Sequence, residues 1–374
     1  MIRNVIFWLD KYPRSIAGTI KALSSRFNVI CVCLRREIDE ERAKMGWGYD
    51  EIAHCKFHFL SEEAHPIDVV TDIANMNADE SFHFMLGLRN GGINKYVYKY
   101  IMPKHRNIAV IAERPTAYQL SFAKRLLSQL YYRFMALILR NRIKCILAMG
   151  MLGVKAYRAV GWPQKMVLPY LYHKITKPVV NEQQIDCKNI KFVYVGQFSK
   201  RKGVDLIMEV FDNLNCYNWT LDVVGANGDM EKEVIEWCNE NPKVNYLGVW
   251  NSMDVSQNIG RYDLCLVPSR YDGWGMVVME AVEAGVGCIT TTDTGSRDLI
   301  DASGAGVVIP SNSIEELVKY IRVLLKYPQL LDEWKSQACK YKNNITDERI
   351  AEYVTECILY FSSNSDKYPH CPWL

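Results

Sequence analysis

The stretch "DLCLVPSRYDGWGMVVMEAVEAG", Asp263 to Gly285, decides the fold. "DLCLVPS" is a short apolar run ending in Pro268 and Ser269, the pattern of a buried strand. Ser269 to Gly275 form a turn, where Gly273 and Gly275 admit unusual dihedrals and close backbone approach. A helix is expected from about Met276. Strand, tight turn and helix in so few residues are the unit of a parallel sheet wrapped by helices. The turn carries Asp272, and Glu280 follows eight residues later inside the apolar helix.

The same unit recurs on both sides. Downstream of a polar stretch, strands are predicted at "IKFVYVG", "WTLDVVG", "KVNYLG", "DLCLVPS", "GCITTT" and "GVVI". A helix is read at "GVDLIMEVFDNL", and Ser313 with Glu316 forms a candidate capping box for "IEELVKYIRVLLKY". Upstream, "NVIFWL", "NVICVCL", "KFHFL", "SFHFMLGL", "NIAVIAE" and "KCILAMG" read as strands, with "SIAGTIKALSSRF" as a helix. The polar run Tyr172 to Asn189 lacks apolar periodicity and reads as a linker. The expected organisation is an α/β domain over 1–171, a linker over 172–189, a second α/β domain over 190–345 and a terminal helix with a tail over 346–374. That helix, about Glu348 to Phe361, is expected to cross back to the first domain. Two open parallel sheets in tandem leave a cleft at the carboxyl ends of their strands, where ligands bind.

Composition sets bounds. A chain of 374 residues is too long for one ordinary core. Hydrophobic residues make up 49% and charged residues 23%, a globular balance rather than a disordered one. The net charge of +3 is too weak to argue for nucleic acid, and no nucleic-acid motif is present. The twelve cysteines lack CxxC pairing and the seven histidines lack an HExxH pattern, so reduced thiols in a reducing compartment are expected. No signal peptide and no uncharged run of about 18 residues is found, so no spanning helix is expected.

Two stretches carry chemistry. In the first, the amides at the start of the helix have no partner within it and suit an anion. Asp272 stands above that end, and Glu280 lies about 6 Å along the axis from Met276. Carboxylates accept well from the paired hydroxyls of a sugar or ribose. The alternative is a helix whose acidic first turn only complements its dipole. In the second, "VGQFSKRKGVDLI", Val195 to Ile207, Lys200, Arg201 and Lys202 follow a strand beside Gly203. They suit a polyphosphate, or form a solvated basic turn. Two phosphate-suited features after strands of one domain favour a phosphate-bearing ligand.

Together these stretches resemble family 4 glycosyltransferases, which have the GT-B fold of two Rossmann-like domains facing across a cleft. The family pattern is matched by Pro268, Ser269, Asp272, Gly273, Trp274, Gly275 and Glu280, followed by Ala281 and Gly285. The phosphate motif is matched by Gly196, Gln197, Lys202 and Gly203. The likeness covers Lys191 to about Pro310; before that it extends only to strand–helix order. The resemblance implies that Glu280 binds ribose hydroxyls and that Asp272 binds hydroxyls of the donor sugar. The amides of Trp274 to Val277, Met276 among them, would lie near sugar and phosphate. Lys202 would neutralise the leaving diphosphate. "NYLGVW", Asn245 to Trp250, would receive the base, and "VGANGD", Val224 to Asp229, would flank it. Asp272 stands where the family has Glu, and Gln197 where it has Arg; Arg201 or Arg14 would then supply the missing charge.

The resemblance further implies a transferase using a nucleotide-diphosphate-sugar, with retention of anomeric configuration and no cofactor. No obligatory metal is expected, since no Asp-x-Asp pair lies in a strand-end loop. Donors placed where charge develops on the departing phosphate would carry the catalysis. The acceptor, a saccharide or lipid-linked saccharide, is assigned to the first domain. There Arg14 and Ser15 in "WLDKYPRS" and Glu113 in "AERP" are candidates to meet it. The other readings are a plain loop, and a carboxylate paired with Arg114. His83 reads as a core histidine; His105 and His173 carry no motif.

Residues 95–144 contain eleven Lys or Arg and one acid, Glu113. "KRLLSQLYYRFMALILRNRIK", Lys124 to Lys144, reads as a basic helix rich in Leu, Tyr and Phe. It suits an anionic membrane surface, or is a core helix with a basic outer face. The corresponding location is cytoplasmic, peripheral on the inner face of the cell membrane. Two rivals remain: a GT-B nucleotide-sugar epimerase, and a non-catalytic nucleotide-sugar-binding module.

Overall fold

The computed structural model describes residues 1–12, 14–36, 52, 54–115, 118–175, 189–214 and 218–374. Most of the expected linker, 176–188, and Pro13 of the first strand-end loop lie outside the described residues. Two compact units result: one from residues 1–36, 54–175 and 346–372, the other from 189–345 with Trp373 and Leu374.

In the first unit seven strands form one sheet: β1 (Asn4–Leu9), β2 (Asn28–Cys33), β3 (Cys55–Phe59), β4 (Ser81–Leu86), β5 (Ile108–Ala112), β6 (Cys145–Met149) and β7 (Val167–Tyr170). Their order is β3-β2-β1-β4-β5-β6-β7, and every pair is parallel. Helices α1 (Ala17–Leu23), α2 (Pro66–Ala74), α3 (Phe122–Leu139) and α4 (Gly150–Ala159) connect them. The strands are Val-, Ile- and Phe-rich because helices cover both faces of a parallel sheet, and β5 and β6 are buried along their whole length. β7 escapes sequence reading because it is a four-residue edge strand interrupted by Pro169.

The second unit repeats the plan with β8 (Ile190–Val195), β9 (Trp219–Val224), β10 (Val244–Tyr246), β11 (Leu264–Val267), β12 (Gly287–Thr291) and β13 (Gly306–Ile309). Their order is β10-β9-β8-β11-β12-β13, all parallel. Its helices are α5 (Val204–Asp212), α6 (Glu231–Glu240), α7 (Ser252–Asn258), α8 (Met276–Glu283), α9 (Arg297–Ser303), α10 (Ile314–Lys326) and α11 (Gln329–Tyr341). Ser313 caps α10 by accepting from the Glu316 amide at 3.3 Å. The order is that of a dinucleotide-binding sheet, in which the chain reverses direction between its first and fourth strands. In the second unit this switch point lies between β8 and β11.

Helix α12 (Asp347–Phe361) packs within the first unit against α1. The Tyr353 hydroxyl donates to the Pro169 carbonyl of β7 at 2.8 Å. At the helix start, Asp347 Oδ1 lies 2.6 Å from His173 Nδ1. Gly18 of α1 makes room for this pair, since a Cβ there would fall within 2.4 Å of both side chains.

Candidate functional site

The loops that follow β8 and β11 leave the second sheet side by side at its switch point. The first runs from Gly196 to Gly203, including the short helical turn Lys200–Lys202, and leads into α5. The second runs from Pro268 to Gly275 and leads into α8. Both end in a glycine with left-handed backbone: Gly203 has φ 75° and caps α5, and Gly275 has φ 88° and caps α8. Neither position tolerates a side chain. A Cβ on Gly203 would lie 2.2 Å from the Pro268 carbonyl oxygen, and one on Gly275 would lie 2.7 Å from Thr294 Cγ2. The two loops therefore touch backbone to backbone.

Side chains fasten the same junction. Lys202 Nζ donates to Asp272 Oδ2 at 2.5 Å, joining the two motifs directly. The Arg201 guanidinium donates to the Tyr271 carbonyl at 3.2 Å and to Gln197 Oε1 at 3.3 Å. Gln197 in turn accepts at its backbone carbonyl from the buried Tyr194 hydroxyl at 3.0 Å. Burial, the dominant cause, holds the Tyr194 phenol well above its usual range, so it stays a donor to that carbonyl.

Asp272 is fixed on its other side as well. It bridges to Thr294; its amide donates to the Asp293 carbonyl at 3.1 Å, and its carbonyl accepts from Gly295 at 3.2 Å. Trp274 is buried, and its carbonyl accepts from the Ser296 amide at 2.7 Å. Ser296 Oγ donates to the Gly275 carbonyl at 2.9 Å. Thr291 Oγ1 donates to the Ser269 carbonyl at 2.5 Å. Glu280 lies in the second turn of α8 and is only 4% exposed. Met276 and Val277 open the helix and are half-buried.

Sequence reasoning missed two groups. One is Arg270, whose guanidinium grips Asp205 of α5 with both Nη atoms, at 2.6 and 2.7 Å. Its Nη1 also donates to the Lys200 carbonyl at 2.5 Å and its Nε to Asn312 Oδ1 at 2.6 Å. The other is the loop after β12, Thr292 to Ser296, which cradles the glycine elbow through its bonds to Asp272, Trp274 and Gly275. A Thr-, Gly- and Ser-rich turn after a strand was the available signal for the loop; a lone arginine gives none.

The flanking loops pack against the first motif. The Phe198 amide donates to the Asn227 carbonyl at 2.9 Å and the Lys200 amide to Asp229 Oδ1 at 3.3 Å. The Gly225 amide donates to the Gly248 carbonyl at 2.8 Å, which sets 245–250 beside 224–229. Leu247 and Val249 stand exposed there.

The other named residues lie in the first unit. Arg14 is buried and Ser15 half-buried in the turn after β1. Glu113, after β5, is exposed; its carbonyl accepts from the Tyr157 hydroxyl at 2.9 Å. The Tyr172 phenol is held well above its usual range by burial and then by the neighbouring Glu113 carboxylate, to which it is hydrogen-bonded. His83 is a core residue linked to Trp8 and His105.

Among the described residues no group of three or more His, Cys, Asp or Glu is placed to hold a metal ion. What the second-unit junction offers is a cluster of cations and a helix start beside two carboxylates, Asp272 and Glu280. Such a set can hold a ligand that is anionic at one end and rich in hydroxyls at the other.

Residues 178–341 match the family described as Glycosyl transferases group 1. Lipopolysaccharide glucosyltransferase WaaG of Escherichia coli K12 is 31% identical over 170 residues, 43% of this chain and 45% of that protein. The chain spans less than half the length of the curated relatives it matches first. Fold likeness extends further. A sucrose-phosphate synthase from Thermosynechococcus elongatus superposes with a TM-score of 0.70 at 12% identity, covering 97% of this chain and all of that one. Anabaena HepE, crystallised in complex with UDP, also gives 0.70 at 12% identity, covering 95% and 99%. The family match covers residues 178–341, less than half of the chain, and the structural matches extend the likeness of fold to nearly all of it.

Proposed function

We propose that the chain is a retaining glycosyltransferase of GT-B type. It moves a sugar from a nucleotide-diphosphate-sugar to a saccharide or lipid-linked saccharide, in polysaccharide or glycoconjugate synthesis. The observation that carries this reading is the Lys202–Asp272 contact at the switch point of the second sheet, beside the start of α8. The family match over 178–341 and the likeness to a lipopolysaccharide glucosyltransferase support it.

In this reading the diphosphate lies at the start of α8. An ammonium has three N–H donors, and Asp272 engages one on Lys202, which leaves others for phosphate oxygens. Arg201 adds charge beside Gln197, where the family pattern has an arginine. Glu280 accepts from the ribose hydroxyls and Asp272 from hydroxyls of the donor sugar. The bond between the anomeric carbon and the phosphate oxygen breaks as oxocarbenium character develops. Its electron pair goes to the diphosphate, where Lys202 and the helix amides stabilise it more strongly than in the ground state. The acceptor oxygen bonds to the same face of the anomeric carbon, and its proton passes to the departing phosphate. Arg14, Ser15 and Glu113 are assigned to the acceptor. No cofactor takes part and no metal is obligatory. The protein acts at the cytoplasmic face of the cell membrane, drawn there by the basic stretch 95–144.

Purified protein incubated with a panel of radiolabelled nucleotide-sugars tests the reading. At least one donor should be hydrolysed slowly without acceptor, and chelation with EDTA should leave that rate unchanged. Reversible conversion of a donor to its epimer would point to an epimerase, and no turnover of any donor to a binding module.

A further inference from the structure

Helix α3 (Phe122–Leu139) is apolar on the side where a surface helix is normally polar. It contacts its unit through Tyr132, Met135, Ala136 and Leu139, which are buried. At 3.6 residues per turn these four lie on one side of the helix. The opposite side carries Leu126, Leu127, Leu130, Phe134, Leu137 and Ile138, which occupy an arc of about 120° with no charged residue among them. All six are exposed, Leu127 and Leu137 each at 65%. Half of the exposed large apolar side chains among the described residues belong to this one helix. A patch of this kind marks an interaction surface.

The border of the arc identifies the partner. Arg133 and Arg140 flank it on one edge and Lys124 on the other, all three exposed. Within 95–144 only Glu113 offsets eleven basic residues. A second copy seated on this face would bring like-charged rims together. An anionic bilayer presents acyl chains to the arc and phosphate headgroups to the rim, the arrangement of an interfacial helix. No helix among the described residues is long and apolar enough to cross a membrane, so the geometry is that of a helix lying in the surface.

We infer that α3 is an interfacial anchor. Its outward leucines and Phe134 insert among the lipids of an anionic bilayer, and Lys124, Arg133 and Arg140 pair with the headgroups. This rests on the proposed membrane location and adds that attachment is by insertion rather than by charge alone.

The test is co-sedimentation of the full chain with vesicles, without donor or acceptor, so its outcome does not depend on the transferase reading. The vesicles are phosphatidylglycerol mixed equally with phosphatidylethanolamine, or phosphatidylcholine alone. The wild type should bind the anionic vesicles and only weakly the neutral ones. Leu127→Gln/Leu130→Gln/Phe134→Gln should bind at least tenfold less with an unchanged melting temperature, since the replaced side chains are exposed and glutamine favours helix. Lys124→Gln/Arg133→Gln/Arg140→Gln should also bind less, while wild type already bound should largely persist in about 0.5 M salt, where screening is strong. Undiminished binding by the Leu/Phe variant would overturn insertion and leave a purely electrostatic contact. Absence of wild-type binding would overturn the membrane reading altogether. A wild-type dimer that this variant dissociates, with no vesicle binding, would assign the face to a second copy instead.

Discussion

Lys202 Nζ and Asp272 Oδ2 stand 2.5 Å apart, although 70 positions separate them in the chain. Lys202 lies in the loop after β8, and Asp272 in the loop after β11, the two strands that flank the switch point. Each motif alone has a bland explanation. Brought together beside the start of α8, they set a cation against a carboxylate, the contact on which the proposed donor site rests.

Lys202→Ala should lower transfer about a hundredfold, the usual cost of removing one preorganised donor from developing charge. Glu280→Gln should lower it at least tenfold, chiefly by weakening donor binding. The Lys202–Asp272 pair is mostly buried, with side chains 23% and 13% exposed, so removing the lysine leaves a carboxylate without its counter-ion. Lys202→Ala should therefore melt below the wild type while remaining folded. Donor-hydrolysis kinetics beside a thermal melt check both points; full activity in either variant would remove that residue from the site.

Arg270 should matter without touching the donor. It ties the β11 loop to α5 through Asp205 and to the β8 loop through the Lys200 carbonyl, so it sets the distance between Asp272 and Lys202. Lysine cannot reproduce that two-pronged grip. Arg270→Lys should raise the KM for the donor several-fold more than it lowers kcat, and should cost about 1–3 kcal/mol of stability. A kcat loss with unchanged KM in steady-state kinetics would count against this positioning role.

The fold was legible because its signal is local. A run such as "DLCLVPS" followed by a glycine turn and an apolar helix declares strand, elbow and helix within 23 residues. The strand β7 was not, because Pro169 interrupts a four-residue run. At the site, the glycines and charged groups stood out by type and position. Their partners did not, since Arg270 meets Asp205 across 65 residues and Asp272 bridges to Thr294 across a turn that folds only with the sheet. The outward apolar arc of α3 was also hidden, because sequence periodicity shows that a helix has apolar positions but not which side the core takes.

Gly203→Ala should loosen the second unit at its centre. The backbone there is left-handed, at φ 75°, which costs an alanine about 1 kcal/mol. The added Cβ would also meet the Pro268 carbonyl at 2.2 Å, a backbone atom that cannot swing aside. The expected loss is about 2–4 kcal/mol, together with weaker donor binding because the two loops are pushed apart. Urea unfolding of the variant measures the first and a donor titration the second. A variant as stable as the wild type would mean that the loops do not touch as described.

The first unit should be acid-labile through His83 and His105. Trp8 Nε1 donates to His83 Nδ1 at 3.1 Å, so that nitrogen is an acceptor and the proton sits on Nε2. His83 Nε2 then donates to His105 Nδ1 at 3.1 Å, and His105 Nε2 donates to the Ala74 carbonyl at 3.2 Å. Every proton in this chain is assigned, and a further proton on either ring would set two donors against each other. Burial first, then the neighbouring ring, holds His83 well below its usual range. Burial also lowers His105, ahead of the opposing bond to Ala74 and the repulsion from Lys104. With depressed folded-state values, the unfolded chain binds more protons below pH 6.5. Stability is then constant above that point and falls beneath it, more steeply through His83, the more strongly depressed of the two, than through His105. Urea unfolding followed by circular dichroism at pH 7.5 and 5.5 should show lower stability at pH 5.5. His83→Leu/His105→Leu, less stable at pH 7.5, should show a shallower decline. An equally steep decline in the double variant would move the acid sensitivity elsewhere in the chain.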